Sequence, residues 1–307
     1  MLAYLTPWNQ GGYAVAERFA SKFTHIAPVW FQIVRQGPEN YQIRGEQDVR
    51  SAWLESMRKA APHVKIVPRV IVEELTPESL GALLTEKIEQ RAFVQEVSRV
   101  TQKFGLDGIV LELWSRIQMT PEVRPLMTTT VRNLGKRLHH KNLTLGLVVP
   151  PFVESFGPAE LAALEADVDL FSMNTYDFSQ PTTAGPNAPY DWVRKCVQDL
   201  RPTATAAPKL CVGLNFYGNI YGPQGGSAIV GHQYLDILRA QGPNIRTTWN
   251  SRAREHTMQF TTVQGPSSLY FPTTRSIAER VHLARDLGTG LALWEIGQGI
   301  DHFYQEL

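Results

Sequence analysis

The chain has 307 residues, 43% of them hydrophobic, and its 30 basic side chains nearly cancel 29 acidic ones, for a net charge of +1. A balance this even gives no electrostatic case for nucleic acid or an anionic membrane as partner, and no apolar run is long enough to span a bilayer. The length suits one large α/β unit as well as two small ones.

In chain order, Leu2 to Trp8 reads as a strand and Tyr13 to Phe23 as a helix. Thr24 to Gln32, carrying Trp30, is a second strand; Tyr41 to Asp48 suggests a small hairpin arm before a helix over Val49 to Ala60. Lys65 to Glu73 is a third strand, followed by a helical pattern from Pro77 to Phe104, with proline in the first turn where its missing N–H costs nothing. A fourth strand precedes the helix Pro121 to Leu138, whose end carries His139, His140 and Lys141 near the negative helix pole. Leu143 to Pro150, Asp169 to Asp177 and Lys209 to Tyr217 are strands five to seven, separated by helices Pro158 to Ala166 and Tyr190 to Leu200.

The regular beat then breaks. Gly222 to Thr274 is longer than a plain crossover and holds a helix, Tyr234 to Arg239, with short β-like runs at Arg246 to Trp249 and Ser268 to Phe271. Gly222-Pro223-Gln224-Gly225-Gly226-Ser227 reads as a flexible loop and not as a phosphate cradle, because no strand–turn–helix frame surrounds it. Ile277 to Leu287 and Leu291 to Glu295 restore the helix–strand alternation, and Phe303 begins a terminal tail. Eight strands alternating with helices predict an α/β protein, a (β/α)8 TIM barrel, as one domain over 1–307 with a small α+β insertion at about 222–274. The insertion is expected to wall a cleft at the carboxyl end of the barrel, where this fold keeps its sites.

The fourth strand is the informative one. In Phe104-Gly105-Leu106-Asp107-Gly108-Ile109-Val110-Leu111-Glu112-Leu113-Trp114, strict alternation puts Val110, Glu112 and Trp114 on one face and Ile109, Leu111 and Leu113 on the other. A carboxylate in an otherwise apolar strand is costly to desolvate unless it is paired or functional; the bland role for Glu112 is an ion pair with Arg69 of the third strand. Strand ends bring Trp8, Trp30, Glu73, Trp114, Tyr176, Asp177, Tyr217, Trp294 and Glu295 toward the mouth. Any one of these aromatics could be packed core. As a ring around one mouth they suit saccharides, whose apolar faces want flat rings and whose hydroxyls want carboxylates or amides.

This segment resembles the fourth strand of the family 18 glycoside hydrolases, whose pattern there is Asp-Gly-x-Asp-x-Asp-x-Glu with the last Glu as general acid. Asp107 and Gly108 match; Val110 stands at the next Asp position, Glu112 at the last Asp and Trp114 at the acid. The resemblance extends over nearly the whole chain, through Tyr4-Leu5-Thr6-Pro7-Trp8-Asn9, Val67-Pro68-Arg69, Gly185-Pro186-Asn187-Ala188-Pro189, Gly213-Leu214-Asn215-Phe216-Tyr217-Gly218 and Trp294-Glu295-Ile296-Gly297-Gln298-Gly299. It implies substrate-assisted chemistry, in which the acetamido oxygen of the sugar attacks and the protein supplies a proton and holds the acetamido group. In that family the Asp two residues before the acid, where Glu112 stands here, and a Tyr on strand six do the holding; Thr175-Tyr176-Asp177 resembles the strand-six motif, with Asn174 a local departure before it. An indole N–H cannot replace a carboxylic acid, and loss of general acid catalysis costs about 10²- to 10⁴-fold.

The expected function is therefore a non-catalytic, oligosaccharide-binding barrel using Trp30, Glu73, Trp114, Tyr176, Asp177, Tyr217 and Trp294, with ligands that the resemblance extends to chitin oligomers, bacterial glycans and lipopolysaccharide. The alternatives are a weak glycosidase with Glu112 or Glu73 as relocated acid, and a protein-interaction module for a stabilin-type receptor. No cofactor or metal is expected. The resemblance also implies a secretory leader preceding this chain and an endosomal, lysosomal or extracellular site. Cys196 and Cys211 read as two buried free thiols, and Asn142-Leu143-Thr144 as a glycosylation sequon.

Overall fold

The computed structural model describes residues 1–307. Eight positions around a closed ring are filled by β1 (Leu2–Leu5), β2 (His25–Pro28, continuing as Phe31–Gly37), β3 (Lys65–Ile66 and Arg69–Val72), β4 (Gly108–Glu112), β5 (Thr144–Val149), β6 (Leu170–Met173), β7 (Leu210–Asn215) and β8 (Gly290–Trp294). All neighbours in the ring pair in parallel, and β1 pairs with both β2 and β8, which closes the barrel. The expected (β/α)8 barrel is therefore the architecture.

Strands β2 and β3 are each interrupted, and each break adjoins a proline, Pro28 or Pro68, whose nitrogen cannot donate to the ladder. The backbone N–H of Val29 still reaches Leu5 O at 2.8 Å, and Val67 N reaches Ile26 O at 2.8 Å, so the ring is pinched without being opened. The second half of β2 pairs antiparallel with Asn40–Arg44, which is the expected hairpin arm. The helical pattern from Pro77 to Phe104 forms two helices, Pro77–Thr85 and Lys87–Phe104, because Glu86 is extended. Gln90 Nε2 donates to Leu83 O at 3.1 Å and satisfies a carbonyl that the interrupted helix leaves open.

Alternating residues fill the barrel with a small apolar plug to which every strand position contributes, among them Leu2, Val67, Val110, Val148, Cys211 and Ala292. The opposite faces pack against the helices in a far larger core of 70 buried residues. Both cysteines are buried and unpaired. Asn142 is exposed in the turn entering β5. No helix is long and apolar enough to cross a membrane.

The insertion is an antiparallel sheet of five strands: Gly218–Gly222, Gly225–Ile229, Arg246–Asn250, Glu255–Thr262 and Gly265–Tyr270. It carries the helix Gly231–Gln241. It starts four residues earlier than expected, since 222 minus 218 is 4, and the expected flexible loop at Gly222 to Ser227 is a β-hairpin. Gly225, at φ +106°, makes the tight return, and a side chain at Gly226 would strike the Tyr221 ring. Arg280 of the helix Thr274–Asp286 anchors the insertion: it is 3% exposed, pairs with Glu255 at 2.9 Å and donates to the carbonyls of Ala188, Ala253, Arg254 and Ser276.

The hairpin arm is held by a buried ion pair. Arg35 donates to both oxygens of Glu89, at 3.1 and 2.7 Å, and the Glu39 N–H adds a bond of 2.9 Å. These donors, Arg35 foremost, hold the Glu89 carboxyl down to about 2 from its ordinary 4.5, against the opposing effect of burial. A depressed folded-state pKa stabilises fully above the unfolded value and loses that contribution as pH falls through the folded value. Stability measured by urea unfolding should therefore fall between pH 4.5 and about 2, with about 3 kcal/mol attributable to this group. Glu89→Gln should flatten that slope.

Candidate functional site

Above the apolar plug, at the carboxyl end of the barrel, the inward positions turn polar. Tyr4, Arg69, Glu112 and Ser172 are each two residues beyond a plug residue (Leu2, Val67, Val110 and Leu170), so the strand period puts them one layer higher. Arg69 Nε donates to Glu112 Oε2 at 2.7 Å, and Tyr4 OH donates to Ser172 Oγ at 2.8 Å. The expected Arg69–Glu112 pair is present, and both side chains are largely buried. Trp294 continues this layer from β8, half-buried, with its ring 5.3 Å from that of Tyr4.

Next to them stands a second group, built by the segment that leaves β6. Tyr176 lies over Gly213 of β7, where a Cβ would come within 3.0 Å of the ring, so glycine is what admits it. Its hydroxyl donates to Asn174 Oδ1 at 3.1 Å, and its ring meets Tyr217 edge-on at 6.4 Å. Asp177 has left-handed backbone geometry, φ 60°, which an Asp tolerates better than most residues. The Asp177 N–H donates to Asn187 Oδ1 at 2.6 Å, and Tyr217 OH donates to the Asp177 carboxylate. Burial pushes the Tyr4, Tyr176 and Tyr217 phenols well above their ordinary range, so all three are neutral hydroxyls near pH 7.

The site is positioned from behind. The N–H groups of Asn187 and Ala188 donate to Glu255, at 3.2 and 3.0 Å, and Glu255 is the partner of Arg280. Burial raises the Glu255 carboxyl above its usual value, opposed by Arg280 and the two N–H groups. A continuous run of polar contacts thus joins the barrel helix, the insertion and Asp177. Between the Asp177 segment and the insertion hairpin lies a groove of about 330 Å³, lined by Asp177, Ser179, Gln180, Asn219, Tyr221 and Ser227 among others. Hydroxyls, amides, a carboxylate and a phenol in one groove suit the hydroxyls of a sugar.

Several expected site residues lie elsewhere. Trp30 is 0% exposed; it sits at the break in β2, donates from Nε1 to Tyr13 OH at 2.8 Å and packs edge-on against Trp53. Trp114 is also 0% exposed. The alternation that would aim it into the mouth ends at Glu112, Leu113 adopts φ −125° and ψ −44°, and Trp114 begins a 3₁₀ turn. Its ring leaves the barrel for the helix layer, edge-on to Phe156 at 5.1 Å, with Nε1 donating to Ser155 O at 3.0 Å. Neither indole is a ligand platform. Glu295 is a buried strut and not part of the mouth: it accepts from Asn9 Nδ2 at 2.8 Å and Gly297 N at 2.9 Å, and burial raises its carboxyl. Glu73 follows the end of β3 and is half-buried, and Trp8, beyond β1, is 70% exposed.

Three further aromatics stand at this end. Tyr4 reads as an ordinary strand residue. Phe152 and Phe178 are exposed aromatics just past β5 and β6, and Phe178 leans on Trp192 at 5.1 Å. Their signal was an aromatic directly after a strand end, next to Pro150-Pro151 and Tyr176-Asp177 respectively.

Trp114→Glu should fold poorly, because a carboxylate there would be buried beside Phe156 and would face the Ser155 carbonyl that the indole N–H now satisfies. We expect a loss of about 3 kcal/mol or more in urea unfolding. A cost near zero would mean that position 114 can face water.

Residues 1–299 match the family described as Glycosyl hydrolases family 18. Among solved structures, the chitinase of Chromobacterium violaceum ATCC 12472 superposes with a TM-score of 0.83 at 22% identity, covering 99% of this chain and 96% of that one. A class V chitinase from Pseudomonas fluorescens Pf-5 gives 0.80 at 19% identity, with 100% and 97% covered. The Cycas revoluta chitinase in complex with (GlcNAc)3 gives 0.77 at 15% identity, with 99% and 97% covered. At these identities the likeness is one of fold, and the family follows from the match over nearly the whole sequence: the chain belongs to glycosyl hydrolase family 18.

Proposed function

We propose that this protein is a non-catalytic, chitinase-like lectin that binds oligosaccharides in the cleft at the carboxyl end of its barrel. The observation that carries the reading is at the end of β4. The position of the family's general acid is occupied by Trp114, whose ring is turned into the helix layer, so no titratable group projects from that position into the mouth. Substrate-assisted hydrolysis needs a proton for the leaving oxygen, and an absent donor leaves binding without turnover.

The nearest substitute, Glu112, is bonded to Arg69 and sits a layer deeper. Its Oε2 is taken up by the Arg69 Nε–H at 2.7 Å, and two residues along a strand, about 7 Å, separate it from the acid's position. What remains is a set of groups for holding a sugar: the half-buried Trp294 ring, the Tyr176 and Tyr217 hydroxyls, Asp177 and the polar groove beside the insertion. N-acetylglucosamine oligomers are the ligand class that the family and the acetamido-holding motif favour. Bacterial glycans and lipopolysaccharide extend that class. The sequence departures resemble the catalytically degenerate branch that includes chitinase domain-containing protein 1, and with that resemblance come a secreted or endosomal–lysosomal location and a stabilin-type receptor as partner. Both belong to the proposal.

A weakly active glycosidase is the second reading. Its motive is Asp177, exposed, fixed by the Tyr217 hydroxyl and adjacent to Tyr176. It would need Glu112 or Glu73 as acid, and would show as turnover of a chromogenic chitobioside abolished by one Glu→Gln change.

Titration with N-acetylglucosamine tetramer should give a saturable change in tryptophan fluorescence, with no release of chromophore from the chitobioside at any pH from 4 to 8. Trp294→Ala should weaken binding about tenfold or more, in line with the truncation of a central aromatic in a binding site. No saturable signal with any oligosaccharide, or brisk turnover, would contradict the proposal.

A further inference from the structure

Away from the cleft, the helices Lys87–Phe104 and Val123–His139 pack side by side, in register through Asn133 Nδ2, which donates to Gln90 Oε1 at 3.0 Å. One turn further along both, a surface groove of about 550 Å³ is lined by Arg91, Val94, Gln95, Arg137, His140 and Lys141. The lining contains three permanent cations and a histidine and no carboxylate. His140 and Lys141 lead into β5, so the groove opens toward the amino ends of the strands, the end of the barrel opposite the mouth.

These cations have no partners within the chain. Arg99, Arg124 and Arg35, on the same or neighbouring elements, each pair with a glutamate, whereas Arg91, Arg137 and Lys141 take part in no ion pair. The Arg137 side chain donates no hydrogen bond, and its Nε is buried without any acceptor. With no acceptor in the chain, the Arg137 guanidinium is left to take one from outside. The helix dipole accounts for only part of the cluster. Arg137 and its neighbours lie at the negative end of their helix, but Arg91 is exposed in the second turn of Lys87–Phe104, far from the negative end of its own helix, so the dipole does not account for it. The groove thus gathers three cations with no anion of the chain among them.

The geometry points to a second site, for the sulfate or phosphate esters of an anionic saccharide, held in this helix groove by Arg91, Arg137 and Lys141. Two guanidinium forks and an ammonium suit tetrahedral oxyanions, which arginine binds through paired N–H groups. Gln95 and His140 add donors for neighbouring hydroxyls. No aromatic ring lines the groove, which disfavours single-stranded nucleic acid, whose bases want stacking platforms. The inference does not depend on the cleft: a chain inactive toward neutral chitin oligomers could still carry this site.

The test uses the full chain and fluorescence anisotropy with three labelled probes: a sulfated hexasaccharide, a phosphorylated oligosaccharide and a short DNA duplex. At least one anionic saccharide should bind, more weakly as salt rises. The double variant Arg91→Gln/Arg137→Gln should weaken it by at least about tenfold, and the exposed single variants Arg91→Glu and Lys141→Glu, folded by circular dichroism, should also weaken it. N-acetylglucosamine tetramer should not compete. Binding of sulfated but not phosphorylated probe, or the reverse, identifies the ester. No binding of either saccharide, affinity unchanged in folded variants, competition by the neutral tetramer, or tighter binding of the duplex would overturn the assignment.

Discussion

The backbone turn at Leu113 sets the character of the site. Strand β4 runs inward-outward as far as Glu112 and then stops, and the ψ of −44° at Leu113 reverses where the next side chain goes. An indole at that position has a better place than a wet cleft: it fills the helix layer against Phe156 and gives its one donor to Ser155 O. Burying a tryptophan with its N–H satisfied is among the larger single contributions a core residue can make. Packing and chemistry therefore pull in one direction. The residue that cannot donate a proton is also the residue that leaves the mouth.

What the turn leaves behind is a charge pair and not a bare acid. Glu112 and Arg69 face each other across neighbouring strands in the first polar layer above the plug. Taking either charge out of water alone would cost several kcal/mol, and pairing offsets this. The Tyr176–Asp177–Tyr217 group shows the opposite design. It is held from behind by Asn187, Glu255 and Arg280, and it keeps the exposed Asp177 carboxylate on a groove, fixed by the Tyr217 hydroxyl. One end of the barrel is thus polar and aromatic, which are properties of a binding surface.

The barrel was legible in the sequence because its evidence is repeated: strands such as Thr144–Val149 and Leu210–Asn215 are short apolar runs at regular spacing between amphipathic helices. The Arg69–Glu112 pair was legible because a lone carboxylate in an apolar strand demands a partner. The directions of Trp30 and Trp114 were not. Each follows a strand by two residues, and a period of two says nothing once the strand has stopped; Pro28 before Trp30 was the one visible warning. The hairpin at Gly218–Ile229 was hidden by its glycines, which look like a loop until the Tyr221 ring is seen to need the missing side chain. Asn187 and Glu255 were invisible as site residues, since they act through backbone N–H groups brought together only by the fold.

The proposed function is binding without cleavage. Its most direct test is to incubate the protein with a stoichiometric amount of N-acetylglucosamine tetramer for a day at pH 5 and at pH 7, then release the ligand and weigh it by mass spectrometry. Recovery of intact tetramer from the bound fraction is the predicted result. Dimer and trimer accumulating in the bound fraction, at a rate lost when Glu112 is changed to Gln, would contradict it.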